Sequence, residues 1–264
     1  MTNSIVKPPT KEVLALCDDS DLLIERYLAC VGKIRRTIRF EAETETYTIL
    51  KLILRHLESV CELARHDLVL LPSAIVLARA AFEASVRARW MLRPVDPYAR
   101  EVRWVLHLRS ATEHCSKLER STHTPKDTAA AYGRRRESYE RFDADISKLL
   151  AERGYALPKQ APNIWEMLKE IGEPQLYQHY IFLSAYTHTN FEAGALYRKN
   201  LGCSKELGDF IAARDWHIPL EVAWSSFFLI ARDLLNWVEA DMTAFSADSL
   251  LHDFKAHLSQ LIAA

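Results

Sequence analysis

The chain has 264 residues, of which 49% are hydrophobic and 26% charged, and its formal net charge is −1. That length and mixture suit a soluble globular protein with room for a real core, and the near-neutral charge excludes a global basic field for nucleic acid, leaving only local patches. Five scattered cysteines, never in C-x-x-C spacing, point to reduced thiols packed as small hydrophobes in a cytoplasmic protein.

The opening "MTNSIVKPPTKEV" has no apolar h-region, so no secretory signal is expected, and residues 1–19 read as a partly irregular segment. From there, helical periodicity predicts helices near 20–39, 43–66, 71–93, 97–120, 126–153, 163–171, 174–188, 218–244 and 246–262. Pro97 follows Asp96 at one helix start, Pro125 precedes another that Gly154 stops, and Pro219 sits in a first turn. Ser246 followed by Ser249 is a weaker start signal, and "ALPKQAPN" (156–163) and "KNLGCSKELG" (199–208) read as loops. The whole of 1–264 is therefore expected to be one all-α domain, an irregular bundle of about nine helices. The greasiest run, "VAWSSFFLIA" (222–231), is too short to span a bilayer, and no membrane association is expected.

Taken in order, "KIRRTIR" (33–39) is basic, but Ile34 and Ile38 form an apolar seam between its charges. "ESVCELARH" puts Glu58, Glu62 and His66 on one helix face, spread over about 12 Å, too far apart for one metal ion. In helix 126–153, "GRRRESYERF" interleaves acids with Arg134, Arg135 and Arg136, the pattern of a solvated face laced with i, i+4 pairs. The six tryptophans sit mostly at apolar helical spacing and read as core, except Trp216, which could line a pocket mouth or staple a helix start.

The informative stretch is "LARAAFEASVRARWML" (77–92). Arg79, Glu83 and Arg87 recur at i, i+4 within about 80° of the wheel, fenced by Val76, Ala80, Val86 and Trp90. A charge removed from water costs several kcal/mol unless it is paired, so this thin ladder needs partners. "LYQHYIFLSAYTHTN" (176–190) offers them: Tyr180, Ser184 and His188 share one face, flanked by Tyr177 and Thr187, with Ile181, Phe182, Leu183 and Ala185 as core material opposite. Facing ladders would place Arg79 or Glu83 within hydrogen-bond reach of Ser184 or His188.

The R-x3-E of "RAAFE", followed about a hundred residues later by Y-x3-S-x3-H after the amphipathic "NIWEMLKEIG", resembles a widespread bacterial all-helical family of unknown function over roughly residues 70–195. The resemblance implies that Arg79, Glu83, Ser184 and His188 are its signature positions, and it implies no activity. Thr187 in "AYTHTN" departs mildly from the small or aliphatic residue expected before the histidine. "RSATEH", with Arg109 and His114, is more loosely similar to the R-x4–6-H motif of the HEPN superfamily, helical bundles that often cut RNA; Arg100 and His107 make a second such match.

No H-E-x-x-H, phosphate-binding glycine loop or G-x-S-x-G elbow occurs in the chain, so neither a metal nor a cofactor is expected. The expected chemistry is metal-independent. His188 moves a proton, Arg79 neutralises a phosphate or carboxylate, Glu83 orients Arg79 or His188, and Ser184 positions substrate, with Arg87, Tyr180 and Tyr177 contacting it. This is a toolkit for 2′-OH attack on an RNA phosphate, in a helical effector of a defence or toxin kind, with Arg109 and His114 as the alternative catalytic pair. The other reading is a non-catalytic protein, working as a homo-oligomer or with a protein partner, whose ladder only fixes helix register.

Overall fold

Thr10 starts the first helix. Its hydroxyl accepts the backbone N–H of Val13 at 3.4 Å, so α1 (Lys11–Cys30) begins well before the expected residue 20 and the N-terminal segment is less irregular than its composition implies. The acidic stretch "CDDSD" (17–21) lies inside this helix. Asp18 and Asp21 meet Arg65 of the next helix at 3.2 and 2.5 Å, and Asp19 meets His257 near the C-terminus at 2.7 Å.

The computed structural model describes residues 6–31, 38–188, 191–243, 245 and 247–264. Ser246 and most of "KIRRTIR" lie outside the described residues, where nine α-helices form an all-α single domain. After α1 come α2 (Glu41–His66), α3 (Leu71–Leu92), α4 (Pro97–Arg120), α5 (Lys126–Glu152), α6 (Ile164–Ile171), α7 (Tyr177–Thr187), α8 (His217–Trp237) and α9 (Ala247–Ala263). The expected loop at 199–208 carries a two-stranded antiparallel sheet in which Arg198 pairs with Leu207 and Lys199 with Glu206.

The helix boundaries follow local chemistry. Asp96 caps α4 by accepting from Tyr98 and Ala99, and Pro97 fills its first turn. Asn163 and Glu166 form a reciprocal capping box at α6, and Gly172, at φ 85°, closes that helix in the left-handed conformation that glycine adopts without steric cost. The α8 helix stops at Trp237, short of the expected 244, because Glu239 turns to φ 51° and its neighbour Ala240 bonds back to the Leu235 carbonyl.

The α3 helix is the axis of the bundle. It packs on α2 and α8, while α6 and α7 cover part of its remaining face. Ala74, Ala78, Ala81 and Ala88 let these neighbours approach, and Phe82, Trp90 and Met91 fill the gaps. Residues 68–92 are apolar and long enough to cross a membrane by length and composition, but most of that stretch is buried within the fold. The α4–α5 pair forms a long hairpin, and α5 buries only Gly133 and Leu150, in keeping with its heavily charged sequence. Trp216 is fully buried and its indole N–H donates to the Leu68 carbonyl at 2.9 Å, so it belongs to the core rather than to a pocket mouth.

Candidate functional site

The helices that carry the two polar ladders pack together and run antiparallel, and of the second ladder only Tyr180 meets the first. Pro72 lies beside Tyr186, Arg79 beside Tyr180, Phe82 beside His179, and Arg89 beside Glu173. This order decides which of the expected residues meet.

Arg79 is 8% exposed. Its Nε donates to Glu83 Oε1 at 2.8 Å, its guanidinium lies 4.9 Å over the Tyr180 ring, and its buried Nη1 has no hydrogen-bond partner. Glu83 also faces Arg87 at 3.9 Å, with both side chains partly open to solvent. Arg79, Glu83, Arg87 and Tyr180 therefore form one cluster, joined by a cation–π contact instead of the expected hydrogen bonds across the helices.

The other signature residues stand apart. The Ser184 hydroxyl donates back to the Tyr180 carbonyl at 2.5 Å, the usual i−4 bond of a helical serine. His188 caps the end of α7, exposed, about 12 Å along the axis from Tyr180 at 1.5 Å per residue. Because the helices are antiparallel, Glu83 and His188 lie on opposite sides of the Arg79–Tyr180 contact. Among the described residues no hydrogen bond joins Arg79 or Glu83 to Ser184 or His188.

An aromatic run extends from the cluster. Tyr180 stacks on Tyr177, with centroids 5.4 Å apart and planes 16° from parallel, and Tyr177 meets Trp165 of α6 at 5.1 Å. Trp165, expected in the core, is 39% exposed. These three rings with Asn163 and Ile164 line a recess of about 310 Å³. Ile181 and Phe182 are also exposed, so the face of α7 read as core is covered only at Leu183 and Ala185.

Arg109 and His114 do not form a pair. Arg109 makes two bonds to Asp143 of α5, at 2.8 and 3.0 Å, and also donates to Ser147, while His114 is exposed on another face of α4. Burial alone would raise the Asp143 carboxyl, but the bonds from Arg109 and Ser147 outweigh it and hold the group below its ordinary range. This pair clips the α4–α5 hairpin together.

Two buried arginines hold ion pairs that were not legible in the sequence. Arg89, 8% exposed, grips Glu173 through both terminal nitrogens at 2.6 and 2.9 Å and donates Nε to Asp233 of α8 at 2.7 Å. Arg100 bonds buried Glu43 of α2 at 3.0 Å and the carbonyls of Pro94 and Val95. Glu101 accepts the Ala42 N–H at 2.8 Å, and burial, with Glu41 and Glu43 nearby, pushes its carboxyl upward. The residues Arg89 and Arg100 do stand near the ladder in the sequence, but their partners lie 57 to 144 positions away, and helical spacing carries no signal of that.

No curated protein and no solved structure matches the chain. A model for a family of unknown function, DUF5677, matches residues 47–206. That span holds the whole Arg79–Glu83 ladder, the Trp165–Tyr177–Tyr180 run, Ser184 and His188, and it covers most of the chain: the protein belongs to the DUF5677 family of unknown function.

Proposed function

We propose that this protein is a cytoplasmic helical effector that binds RNA or another phosphorylated ligand on the α6–α7 face, through Tyr177, Tyr180, Arg79 and Arg87. The observation that carries this reading is the ring sequence Trp165–Tyr177–Tyr180, which ends beneath the Arg79 guanidinium beside an open recess. Aromatic faces stack unpaired bases, at about 1–3 kcal/mol per base, and nearby arginines neutralise the phosphates; of the three rings Trp165 is the exposed one, and Tyr177 and Tyr180 are half-buried beside it. Four of the five cysteines are buried, in keeping with their reading as small hydrophobes in a reducing compartment.

The separation of His188 from Glu83 favours binding as the primary role. RNA cleavage is the chemical extension of that role, with His188 moving the proton as bound RNA passes the end of α7. The test is fluorescence anisotropy of a labelled single-stranded RNA. Tyr177→Ala should weaken binding at least fivefold, Arg87→Gln should lower its salt dependence, and His188→Ala should leave affinity unchanged. If cleavage occurs it should persist in EDTA, give 2′,3′-cyclic phosphate ends and vanish in His188→Ala. Equal affinity of wild type and Tyr177→Ala would refute the site.

The exposed Ile181, Phe182 and Phe191 favour a second reading, self-association through the outer face of α7. Sedimentation should then show a dimer that Ile181→Asp dissociates, and a monomer at high concentration would discard it.

A further inference from the structure

A second pocket, of about 540 Å³, opens at the other end of α3, where the 93–96 turn meets the end of α8. Three arginines line it: Arg89, Arg93 and Arg100. Its one lining carboxylate is Asp233, which Arg89 already occupies at 2.7 Å. Glu173 and Glu43 hold Arg89 and Arg100 from behind and do not line the pocket.

Counting hydrogen-bond capacity shows an excess of donors. A guanidinium carries five N–H donors. Arg89 uses three of its donors on Glu173 and Asp233. Arg100 uses one on Glu43 and two on the Pro94 and Val95 carbonyls, and its buried Nε has no partner. Arg93 is exposed, and its side chain makes no hydrogen bond or ion pair among the described residues. The C-terminal ends of α3 and α8 lie at this pocket, each carrying roughly half a negative charge; Glu173 and Asp233 neutralise Arg89 and Glu43 neutralises Arg100, so the uncompensated guanidinium at the pocket is that of Arg93, beside the unused N–H donors of Arg89 and Arg100.

We propose that this pocket binds the phosphoryl group of a small phosphomonoester. A phosphoryl group presents three terminal oxygens, one face for each guanidinium, whereas a carboxylate presents two. The pocket has the size of a small-molecule site. Arg93 and Pro94 also line an adjoining groove of about 1200 Å³, whose wall includes Val102 and Leu106. The organic body of the ligand extends past Arg93 into that groove. This site is separate from the α6–α7 face and does not depend on it.

The test is calorimetric titration of the full chain with phenyl phosphate, inorganic phosphate and benzoate. Phenyl phosphate should bind more tightly than inorganic phosphate, and benzoate at least tenfold more weakly than phenyl phosphate. Arg93→Gln removes an exposed side chain without a partner, so the fold should survive while phenyl phosphate affinity falls tenfold or more. Val95→Trp, at another exposed lining position, should block the pocket to a similar degree, and Tyr177→Ala should leave the affinity unchanged. The proposal is overturned if wild type does not bind phenyl phosphate, if neither Arg93→Gln nor Val95→Trp weakens it, or if Tyr177→Ala abolishes it.

Discussion

Replacing Glu83 by alanine separates a sealed architectural ladder from an accessible site. Arg79 is almost wholly buried, Nε is bonded only to Glu83, and Nη1 already lacks a partner. Removing one member of a fully buried ion pair costs about 3–5 kcal/mol. Two features lower that figure here. The Glu83 side chain is 28% exposed, so water can enter the space it leaves, and the Tyr180 ring still faces the guanidinium. The expected cost is about 2 kcal/mol. With an unfolding entropy of about 2.1 cal/mol/K per residue over this chain length, that lowers the melting temperature by about 4 °C. Removing both charges in Arg79→Met/Glu83→Ala should recover at least half of the loss, because no unpaired charge then remains inside. Scanning calorimetry at neutral pH on the three chains is sufficient. If Glu83→Ala melts within 1 °C of wild type, or the double variant melts below the single one, Arg79 does not depend on Glu83 and the cluster has been misread.

Glu101 sets a pH dependence. Its folded carboxyl is raised, so the folded chain holds a proton that the unfolded chain has released, and the stability it contributes is lost as pH rises from the ordinary glutamate range through the folded value. Glu101→Gln keeps an acceptor for Ala42 and removes the titration; its stability relative to wild type, measured by urea unfolding, should increase from pH 4 to pH 7, and a difference that stays constant would contradict the assignment. Arg109→Ala should cost about 1–2 kcal/mol by releasing the bonds to Asp143, while His114→Ala should melt like wild type. Neither change should alter RNA affinity in the anisotropy assay; a loss of binding in His114→Ala would return the site to "RSATEH".

Much of the scaffold is legible in the sequence because the determinants are local. Pro97 behind Asp96, the Asn163–Glu166 box and Gly172 each mark a boundary through chemistry within four residues. The first helix starts at Lys11 rather than near residue 20 because Thr10 caps it, and the acidic stretch inside it, Asp18, Asp19 and Asp21, is held by Arg65 and His257, far along the chain. The same limit applies to the site. Spacing along α3 and α7 identifies two thin ladders, but their antiparallel order, which brings Tyr180 rather than His188 to Arg79, is a property of packing. Trp165 was hidden for a related reason: its apolar spacing fits a core residue, and only the placement of α6 beside Tyr177 leaves it half open. Arg89 shows no pattern until α8 supplies Asp233, and Arg100, which spacing matches to His107, pairs with Glu43 of α2 instead.

The central claim, that the α6–α7 face takes a nucleic acid or related phosphorylated ligand, is tested most directly by photo-crosslinking. A single-stranded RNA containing 4-thiouridine is irradiated with the protein, digested and mapped by mass spectrometry. Crosslinks on Trp165, Tyr177 or Tyr180, competed away by unlabelled RNA, are the predicted result. Crosslinks confined to the basic stretches 33–39 or 134–136, or none above the background given by an unrelated acidic protein, would contradict the account.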